Sequence, residues 1–267
     1  MKHVFTEEEK QYMLDNYQDK TYVEIAKDLG LTDRQVRGWV NGHGLKKLTP
    51  INGNYFDNID TPLKAYFLGL IYADGCIYHT VPYGYYFILV LQSQDIYVLE
   101  KLKQELNAQC KLIHRDPYEH EILGTTTMSH DLDRLIINSK PLYQSLIKQN
   151  IVPRKTYSDI FPQVEEKYFF DYLRGYIDGD GCYCINSHGK LRTSIICNSK
   201  KNLEYIQSRL LKYDIHTHIL PCKNHYVLSC SREKDNFILL HHLYYEDDVF
   251  CLQRKYDKIK HLLGSAA

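Results

Sequence analysis

One nine-residue pattern occurs twice in this chain, as FLGLIYADG in residues 67–75 and as LRGYIDGDG in residues 173–181. Each copy has an apolar stretch, two small residues four positions apart and a final Asp-Gly, so that Asp74 and Asp180 occupy matching places. An internal repeat indicates that the chain is built from similar structural units placed side by side. The pattern therefore predicts two similar halves, each with one helix that ends on a carboxylate.

The small residues of the repeat predict that the two helices pack on each other. The first copy has Gly69 and Ala73 one helical turn apart on one face, and the second has Gly175 and Gly179 in the same places. Small residues at this spacing let two helix backbones approach closely. Neither stretch is long or apolar enough to span a bilayer. We therefore expect a packed pair of helices whose acidic residues are neighbours at one end.

Two neighbouring carboxylates repel each other, which raises the pKa of at least one of them. A divalent cation relieves this repulsion, and Mg²⁺ commonly takes a few carboxylate oxygens together with a substrate phosphate. A metal ion in such a place activates water and stabilises the leaving oxygen of a phosphodiester. Asp-Gly also ends helices or forms turns in proteins that bind no metal. Because the pattern occurs twice with matched surroundings, it favours a metal site.

The sequence that follows each motif is matched as well. Gln92-Ser93 follows Asp74 at the same interval at which Asn198-Ser199 follows Asp180, and a helical pattern follows each serine. Runs rich in Tyr, Ile, Val and Thr predict strands. The expected hairpins pair 76–80 with 85–91 around 82–84, 111–115 with 122–129, 182–186 with 191–197 around 187–190, and 216–221 with 225–231. Closing helices are expected near 132–150 and near 235–263.

The two motifs, their separation and the αββαββα order of each half resemble the LAGLIDADG homing endonucleases in their single-chain form. The resemblance covers roughly residues 60–260. It implies an α+β fold in which a pseudo-two-fold pair of halves forms a saddle on double-stranded DNA, with the motif helices at the interface. It also implies a site-specific endonuclease that makes a metal-dependent double-strand break with short 3′ overhangs, each acid cutting one strand.

The resemblance assigns the metal site to the ends of the motif helices. Asp74 and Asp180 match the acidic residues that hold the catalytic Mg²⁺, for which Mn²⁺ can substitute. The carbonyls of Ala73 and Gly179, one residue earlier, match backbone contacts to the metal in this family.

Four further residues match catalytic positions in the family. Gln92 and its counterpart Asn198 match a polar group near the attacking water. Lys155 and Lys255 are the candidates for a lysine beside each scissile phosphate, and each of them follows an arginine. The alternative for both lysines is an ordinary solvated charge.

The motifs depart from the family pattern in two places. Tyr72 replaces the first Asp of the motif in the first half, whereas Asp178 keeps it in the second, and this position is not a metal ligand. Arg174 replaces a small residue early in the second motif, from which we expect a locally loosened or tilted helix interface.

Residues 1–50 are expected to form a separate helix-turn-helix domain. Thr6 and Thr21 precede helical patterns, Gly30 ends the second, and 33–41 reads as a third helix. The segment EIAKDLGLTDRQVRGWV resembles the helix-turn-helix domains of phage and bacterial DNA-binding proteins. The side chains expected to face the major groove are those of Arg34, Gln35, Arg37 and Asn41. A small helical domain that binds protein is the alternative.

The remaining boundaries follow from composition and from the repeat. Residues 51–62 are rich in Asn, Asp and Gly and are expected to be a linker. The two halves are expected at 63–160 and 161–263, and 264–267 resembles a cloning scar.

The chain has 33 basic and 33 acidic residues, so its net charge does not by itself indicate a nucleic-acid partner. Phosphate binding needs only a local patch. The segment from Cys182 to Lys234 is basic, and its candidate DNA contacts, all on predicted strands, are Lys190, Arg192, Lys223 and Arg232. Arg115 is the candidate in the first half.

The eight cysteines lack zinc-site spacing, and we see no signal peptide or membrane span. We therefore expect reduced thiols and a cytoplasmic monomer of a phage or bacterial host, without an obligate protein partner; an organelle is not excluded. Two other functions stay open, an intron RNA maturase and a non-catalytic DNA-binding regulator of the same fold. The sequence does not decide whether the gene lies inside an intron.

Overall fold

The computed structural model describes residues 3–17, 20–45, 51–80, 84–122 and 125–264. The chain divides into two compact units, Met1–Pro50 and Ile51–Ala267. Pro82 and Tyr83 of the first predicted turn, and residues 265–267 of the expected cloning scar, lie outside the described residues. All eight cysteines are free thiols. None of the helices in the described ranges is long and apolar enough to cross a membrane.

The first unit consists of three helices, α1 (Glu7–Asn16), α2 (Tyr22–Leu29) and α3 (Asp33–Gly42). A threonine precedes each helix, and its hydroxyl accepts a hydrogen bond from the backbone N–H of the third helical residue. The side chain of that third residue in turn accepts a hydrogen bond from the backbone N–H of the threonine. Such caps stabilise a helix by about 0.5–2 kcal/mol each. The core is formed by Met13, Ile25, Ala26, Val36, Trp39 and Val40. The predicted N-terminal helices are therefore present.

The second unit contains two successive sets of helices and strands. The first set is α4 (Pro62–Asp74), β1 (Gly75–Thr80), β2 (Gly84–Gln92), α5 (Ile96–Glu105), β3 (Ile113–Arg115), β4 (Glu119–Ile122), β5 (Thr125–Met128), β6 (Leu132–Asn138) and α6 (Lys140–Lys148). The second set is α7 (Phe169–Asp180), β7 (Gly181–Ile185), β8 (Leu191–Cys197), α8 (Lys200–Leu211), β9 (His218–Pro221), β10 (Tyr226–Cys230), α9 (Glu233–Leu243) and α10 (Gln253–Leu263).

Each set forms one antiparallel four-stranded sheet. The strand orders are β1-β2-β6-β3 and β7-β8-β10-β9. Once the small β4–β5 sheet between β3 and β6 is set aside, the two orders are the same. Helices cover one face of each sheet, and the residues on that face, such as Phe87 and Ile195, are buried. The two halves thus repeat one topology, as the repeated sequence predicts.

The first half differs from the prediction around residues 122–138. Thr125–Met128, part of the segment expected to pair with β3, pairs instead with Glu119–Ile122 in the separate β4–β5 sheet, and β6 takes the place beside β3. A helix was expected from 132, but the buried residues of β6 alternate (Asp133, Leu135, Ile137), which is the two-residue period of a strand. The helix begins only at Lys140, capped by Ser139.

The two motif helices, α4 and α7, pack against each other through their glycines. A Cβ atom on Gly69 would lie 2.0 Å from the carbonyl oxygen of Tyr172, and one on Gly175 would lie 1.9 Å from that of Tyr66. Real Cβ atoms do not approach backbone oxygen so closely, so only glycine fits at both positions. The predicted close approach of the two helices is confirmed.

The segment expected to be a linker is packed on the second unit. Phe56 is fully buried, and Tyr55 donates a hydrogen bond to Glu105 at 3.1 Å. The backbone N–H of Asn52 donates to the carbonyl of Leu106 at 2.7 Å. The segment 51–61 is therefore anchored by its aromatic side chains, which the Asn, Asp and Gly content of the sequence obscured.

Candidate functional site

The motif helices end with their acidic residues side by side. Asp74 and Asp180 are the last residues of α4 and α7, and both side chains reach solvent. A Cβ atom on Gly179 would lie 3.1 Å from Oδ2 of Asp74, so the end of α7 touches this carboxylate. The structure therefore brings the two predicted acids, Asp74 and Asp180, together at the helix interface.

Protein surrounds both carboxylates on most sides, although they reach water. Burial, followed by the negative charge of Asp180, raises the pKa of Asp74 to about 6. Burial also raises the pKa of Asp180 above its ordinary value. A raised pKa means that the protein alone stabilises the charged form of the carboxylate poorly. The site therefore favours a nearby cation at neutral pH.

Lys155 caps the end of the first motif helix. Its Nζ donates to the carbonyls of Ala73 at 3.0 Å and Gly75 at 2.5 Å. The last carbonyls of a helix lack partners within the helix and carry partial negative charge, which an ammonium group satisfies. Burial lowers the pKa of Lys155.

Lys255 does the same at the end of the second motif helix. Its Nζ donates to the carbonyls of Ile177 at 2.8 Å and Gly181 at 2.6 Å, and to that of Gly179 at 3.4 Å. It is 8% exposed, and burial lowers its pKa. The two candidate lysines thus occupy equivalent positions, although Lys155 lies in a short 3-10 turn (Lys155–Tyr157) and Lys255 lies on α10.

The lysines and acids are coupled across the two halves. Among the nearby cations, Lys255 lowers the pKa of Asp74 most, and Lys155 lowers that of Asp180 most. A cleft of about 170 Å³ contains Asp180 and Lys155 together with Ala73 and Asn198. Asp180 and Lys155, which belong to different halves, thus line one cleft, and each acid is stabilised by both lysines.

The two predicted polar groups are placed differently. Asn198 is exposed and lines the cleft that holds Asp180. Gln92 is half-exposed at the end of β2, accepts a hydrogen bond from Gln94 at 2.5 Å, and does not line this cleft. The structure thus brings Asn198, but not Gln92, into the acid–lysine cleft.

The donor atoms at the helix ends fit a hard divalent cation. Within the described ranges no cluster of three or more His, Cys, Asp or Glu side chains is present. Mg²⁺ does not require one, since it is commonly bound by one or two carboxylates, substrate phosphate and water. The carbonyls of Ala73 and Gly179 already accept from the lysines, but a carbonyl oxygen has a second lone pair for another partner.

Arg174, which departs from the family pattern, holds the chain segment that leads to α10 and Lys255. Arg174 is buried, pairs with Asp171 at 2.7 Å, and donates to the carbonyls of Leu243 at 2.7 Å and Phe250 at 3.0 Å. It therefore anchors the α9–α10 connection, and the expected loosening of the helix interface was wrong.

Asp178 fixes the start of α10, a role that the sequence analysis missed. Its buried Oδ2 accepts from the hydroxyl of Tyr66 at 2.9 Å and from the backbone N–H of Leu252 at 2.7 Å. Leu252 is the residue directly before α10. Arg254, also on α10, pairs with buried Asp95 at 2.8 Å. No local sequence signal connects residues so far apart.

The predicted DNA contacts of the second unit are only partly on strands. Arg115 ends β3 and Arg192 lies exposed on β8. Lys190, Lys223 and Arg232 lie off the strands: in the turn before β8, in the β9–β10 turn and at the cap of α9. Their placement on strands was wrong, because β8 begins only at Leu191, β9 ends at Pro221 and β10 ends at Cys230.

The candidate DNA contacts of the first unit lie on α3. Arg34, Arg37 and Asn41 are exposed, and Arg37 lies 3.6 Å from Asp33. Gln35 is half-buried, and its amide oxygen accepts from the backbone of Thr32 at 2.9 Å as part of the helix cap. Three of the four predicted side chains are thus open to a ligand, and Gln35 has a structural partner.

Comparison with known proteins places this geometry in a known fold. Residues 169–235 match the family described as LAGLIDADG-like domain. The structure is similar to that of the I-LtrWI LAGLIDADG homing endonuclease bound to target DNA, with 14% identity, 79% of this chain and 90% of that chain covered, and a TM-score of 0.51. This chain has a LAGLIDADG-type fold.

Two further solved structures with LAGLIDADG folds are similar to the chain. I-DmoI in complex with DNA and Ca shares 18% identity over 79% of this chain and 99% of that chain, with a TM-score of 0.49. Full-length DUF199/WhiA from Thermatoga maritima shares 16% identity over 79% of this chain, with a TM-score of 0.46, and the chain spans 63% of its length. The search of curated proteins found no match. The α+β fold with antiparallel sheets expected from the LAGLIDADG motifs is confirmed.

Proposed function

We propose that this protein is a site-specific, metal-dependent DNA endonuclease that cuts both strands of its target. The observation that carries the proposal is the pair of acids and the pair of lysines gathered at the ends of α4 and α7. Asp180 shares a cleft with Lys155, and the charges of both lysines lower the pKa of Asp74 and of Asp180. Two equivalent sets at one interface suit a substrate with two antiparallel strands and two scissile phosphates.

Each set offers groups suited to phosphodiester hydrolysis. Asp74 and Asp180, with the carbonyls of Ala73 and Gly179, would hold Mg²⁺, with Mn²⁺ as a substitute. The metal would supply Lewis acidity and a more acidic bound water. The carboxylate of Asp74 is charged above about pH 6, so it can hold a cation at neutral pH.

The protein's own cations and amides act on the substrate. The ammonium groups of Lys155 and Lys255 are fixed by backbone carbonyls, so they offer positive charge to a phosphate without reorganising. Asn198 lines the cleft of Asp180 and would orient water beside it. Gln92 would act in this way only if DNA binding turned its side chain toward Asp74.

We further propose that the first unit binds DNA beside the cleavage site. Arg34, Arg37 and Asn41 on α3 present charged and amide groups of the kind that contact phosphates and base edges. Two DNA-binding units on one chain raise the effective concentration of each at a joint target. We expect the protein to act as a monomer on double-stranded DNA in the cytoplasm of its host.

The test is cleavage of a randomised or genomic DNA library with Mg²⁺, with Ca²⁺ as the control, followed by sequencing of the ends. We expect one enriched site with short 3′ overhangs that forms with Mg²⁺ only. Asp74→Asn and Asp180→Asn should abolish double-strand cleavage and spare binding. Selective binding by the wild-type protein without any cut would favour a non-catalytic regulator. Binding of a structured intron RNA instead of DNA would favour a maturase.

A further inference from the structure

The short turn that carries Lys155 presents two side chains that the protein itself does not use. Arg154 directly precedes this turn and Tyr157 ends it. Both side chains are exposed, that of Tyr157 to 88%. Within the described part of the chain, neither forms a hydrogen bond, an ion pair or a ring contact. A guanidinium and a large aromatic ring left free on one turn indicate a surface for a ligand.

The backbone of Arg154 has a conformation that arginine rarely adopts. Its φ of 56° and ψ of 36° lie in the left-handed region, which Gly, Asn and Asp enter far more readily. Such strain persists only where the surroundings impose it, and it is concentrated at binding sites. The surroundings here are Pro153 on one side and Lys155 on the other, whose Nζ is fixed by two backbone carbonyls. The turn is therefore held in place by its neighbours and not by the arginine side chain.

The turn forms part of the wall of the cleft that contains Asp180. Lys155 and Thr156 line this cleft together with Asp180. Arg154 and Tyr157 lie at either end of these two lining residues and are not part of the lining. A strand whose scissile phosphate occupies the cleft has its neighbouring phosphates and sugars just outside it. The two free side chains are therefore placed for the backbone beside the cut.

The matching arginine of the second half is not free. Arg254, which likewise directly precedes the lysine, donates from Nε to buried Asp95 at 2.8 Å. At the place in the second half that matches Asp95, the sequence has Lys201, a positive charge. Arg154 therefore has no acid where its counterpart has one. One arginine of the pair is structural, and the other is available to a ligand.

We propose that Arg154 binds a phosphate next to the scissile one on the strand cut in the Asp180 cleft, and that Tyr157 contacts the adjoining sugar. The proposal rests on the proposed function, which supplies the DNA backbone as the ligand. Arginine and tyrosine are among the side chains that hold phosphates and sugars and so fix the register of a duplex. Because Arg254 is already paired, this contact has no counterpart on the other strand.

The test is a phosphate scan of the duplex that the full-length protein selects from a randomised library in Ca²⁺. In each copy a neutral methylphosphonate replaces one phosphate, and affinity is measured by gel-shift titration. Neutralising the phosphate that Arg154 contacts should weaken binding by the wild-type protein about tenfold and leave Arg154→Asn unaffected. On the unmodified duplex, Arg154→Asn should lose about the same factor, and the slope of log affinity against log salt concentration should become shallower by about 1.

Three further measurements distinguish binding from a structural role. Asn is tolerated in the left-handed region, so Arg154→Asn should melt at the wild-type temperature or above it. Weaker binding together with a lower melting temperature would overturn the inference. Tyr157→Ala should weaken binding without changing the salt slope, since it removes no charge. Lys260→Gln removes an exposed charge that pairs with Asp257 on α10 and should leave both affinity and slope unchanged.

The outcomes separate this inference from the proposed function. Cleavage of the selected duplex in Mg²⁺, with no phosphate whose effect depends on Arg154, overturns the inference and leaves the endonuclease standing. One phosphate coupled to Arg154 without any cleavage supports the backbone contact and overturns the nuclease. Selection of no duplex overturns both.

Discussion

Asp178→Ala should slow the cutting of one DNA strand selectively. In the folded protein this carboxylate accepts hydrogen bonds from the Tyr66 hydroxyl and from the backbone N–H of Leu252, which directly precedes α10. Lys255 lies on the first turn of that helix and reaches the end of α7. At the matching position of the first half stands Tyr72, so that half has no carboxylate at this place. The variant should therefore disturb one of the two lysines.

The expected loss of stability is small because two effects oppose each other. Leaving two buried donors without an acceptor costs about 1–3 kcal/mol each, or about 2–6 kcal/mol together. Burial raises the pKa of Asp178 to about 6, so keeping it charged in the folded protein costs about 3 kcal/mol at pH 7. The variant is relieved of that cost, which leaves a net loss of at most about 3 kcal/mol. Most of the protein should stay folded.

The assay follows each strand of the selected target with its own end label in a single turnover. Lys255→Met and Lys155→Met first assign each lysine to the strand whose cut it supports. A misplacement of about 1 Å can cost about 100-fold in rate, so Asp178→Ala should slow the Lys255 strand by about 10- to 100-fold. A nicked product should accumulate. Asp235→Asn, which alters another buried carboxylate in the same half, is the control and should preserve the ratio of the two cuts.

Equal slowing of both strands by Asp178→Ala, in the proportion in which the folded fraction falls, would refute the positioning role. It would show that this carboxylate acts on stability alone.

Three other perturbations have defined outcomes. Gly175→Ala places a Cβ 1.9 Å from the Tyr66 carbonyl, so urea unfolding should show a loss of about 3 kcal/mol or more, and an unchanged midpoint would contradict the packing. Divalent-cation affinity, measured by calorimetry, should fall as pH falls through about 6, because Asp74 protonates there. Metal-free protein should melt at a higher temperature as pH falls from 7 toward 5, since the folded state binds that proton more tightly than the unfolded chain; Asp74→Asn should weaken this trend. Arg34→Ala should weaken binding of the selected target and reduce its salt dependence without changing the single-turnover rate at saturation, as gel-shift titration can check.

Features encoded by local periodicity could be predicted from the sequence. The helix caps, the two motif helices and the hairpins β1–β2, β7–β8 and β9–β10 each follow from a short stretch of residues. The segment 132–138 (LDRLIIN) was misread because its apolar residues fit a helical face as well as an alternating strand. Its partners in the sheet, which the local pattern does not specify, decide the outcome.

Only part of the candidate site could be predicted from the sequence. The acids follow from the repeat, whereas the equivalence of Lys155 and Lys255 is hidden by unequal chain lengths before them. The connections Asp178–Leu252 and Asp95–Arg254 join residues that only the tertiary fold brings together. Lys190 and Lys223 were assigned to strands because the boundaries of short strands carry little signal in composition.

The gathering of both acids and both lysines at one helix interface has a consequence for how this architecture arises. Each half carries one acid and one lysine, and each acid is stabilised by both lysines. A single half on its own would contain both kinds of group and still lack a complete set. Two copies of one half, by contrast, would complete both sets at once. Under the proposed function, hydrolysis would therefore appear only on pairing, so that an ancestral half or a partly synthesised chain would be harmless to DNA.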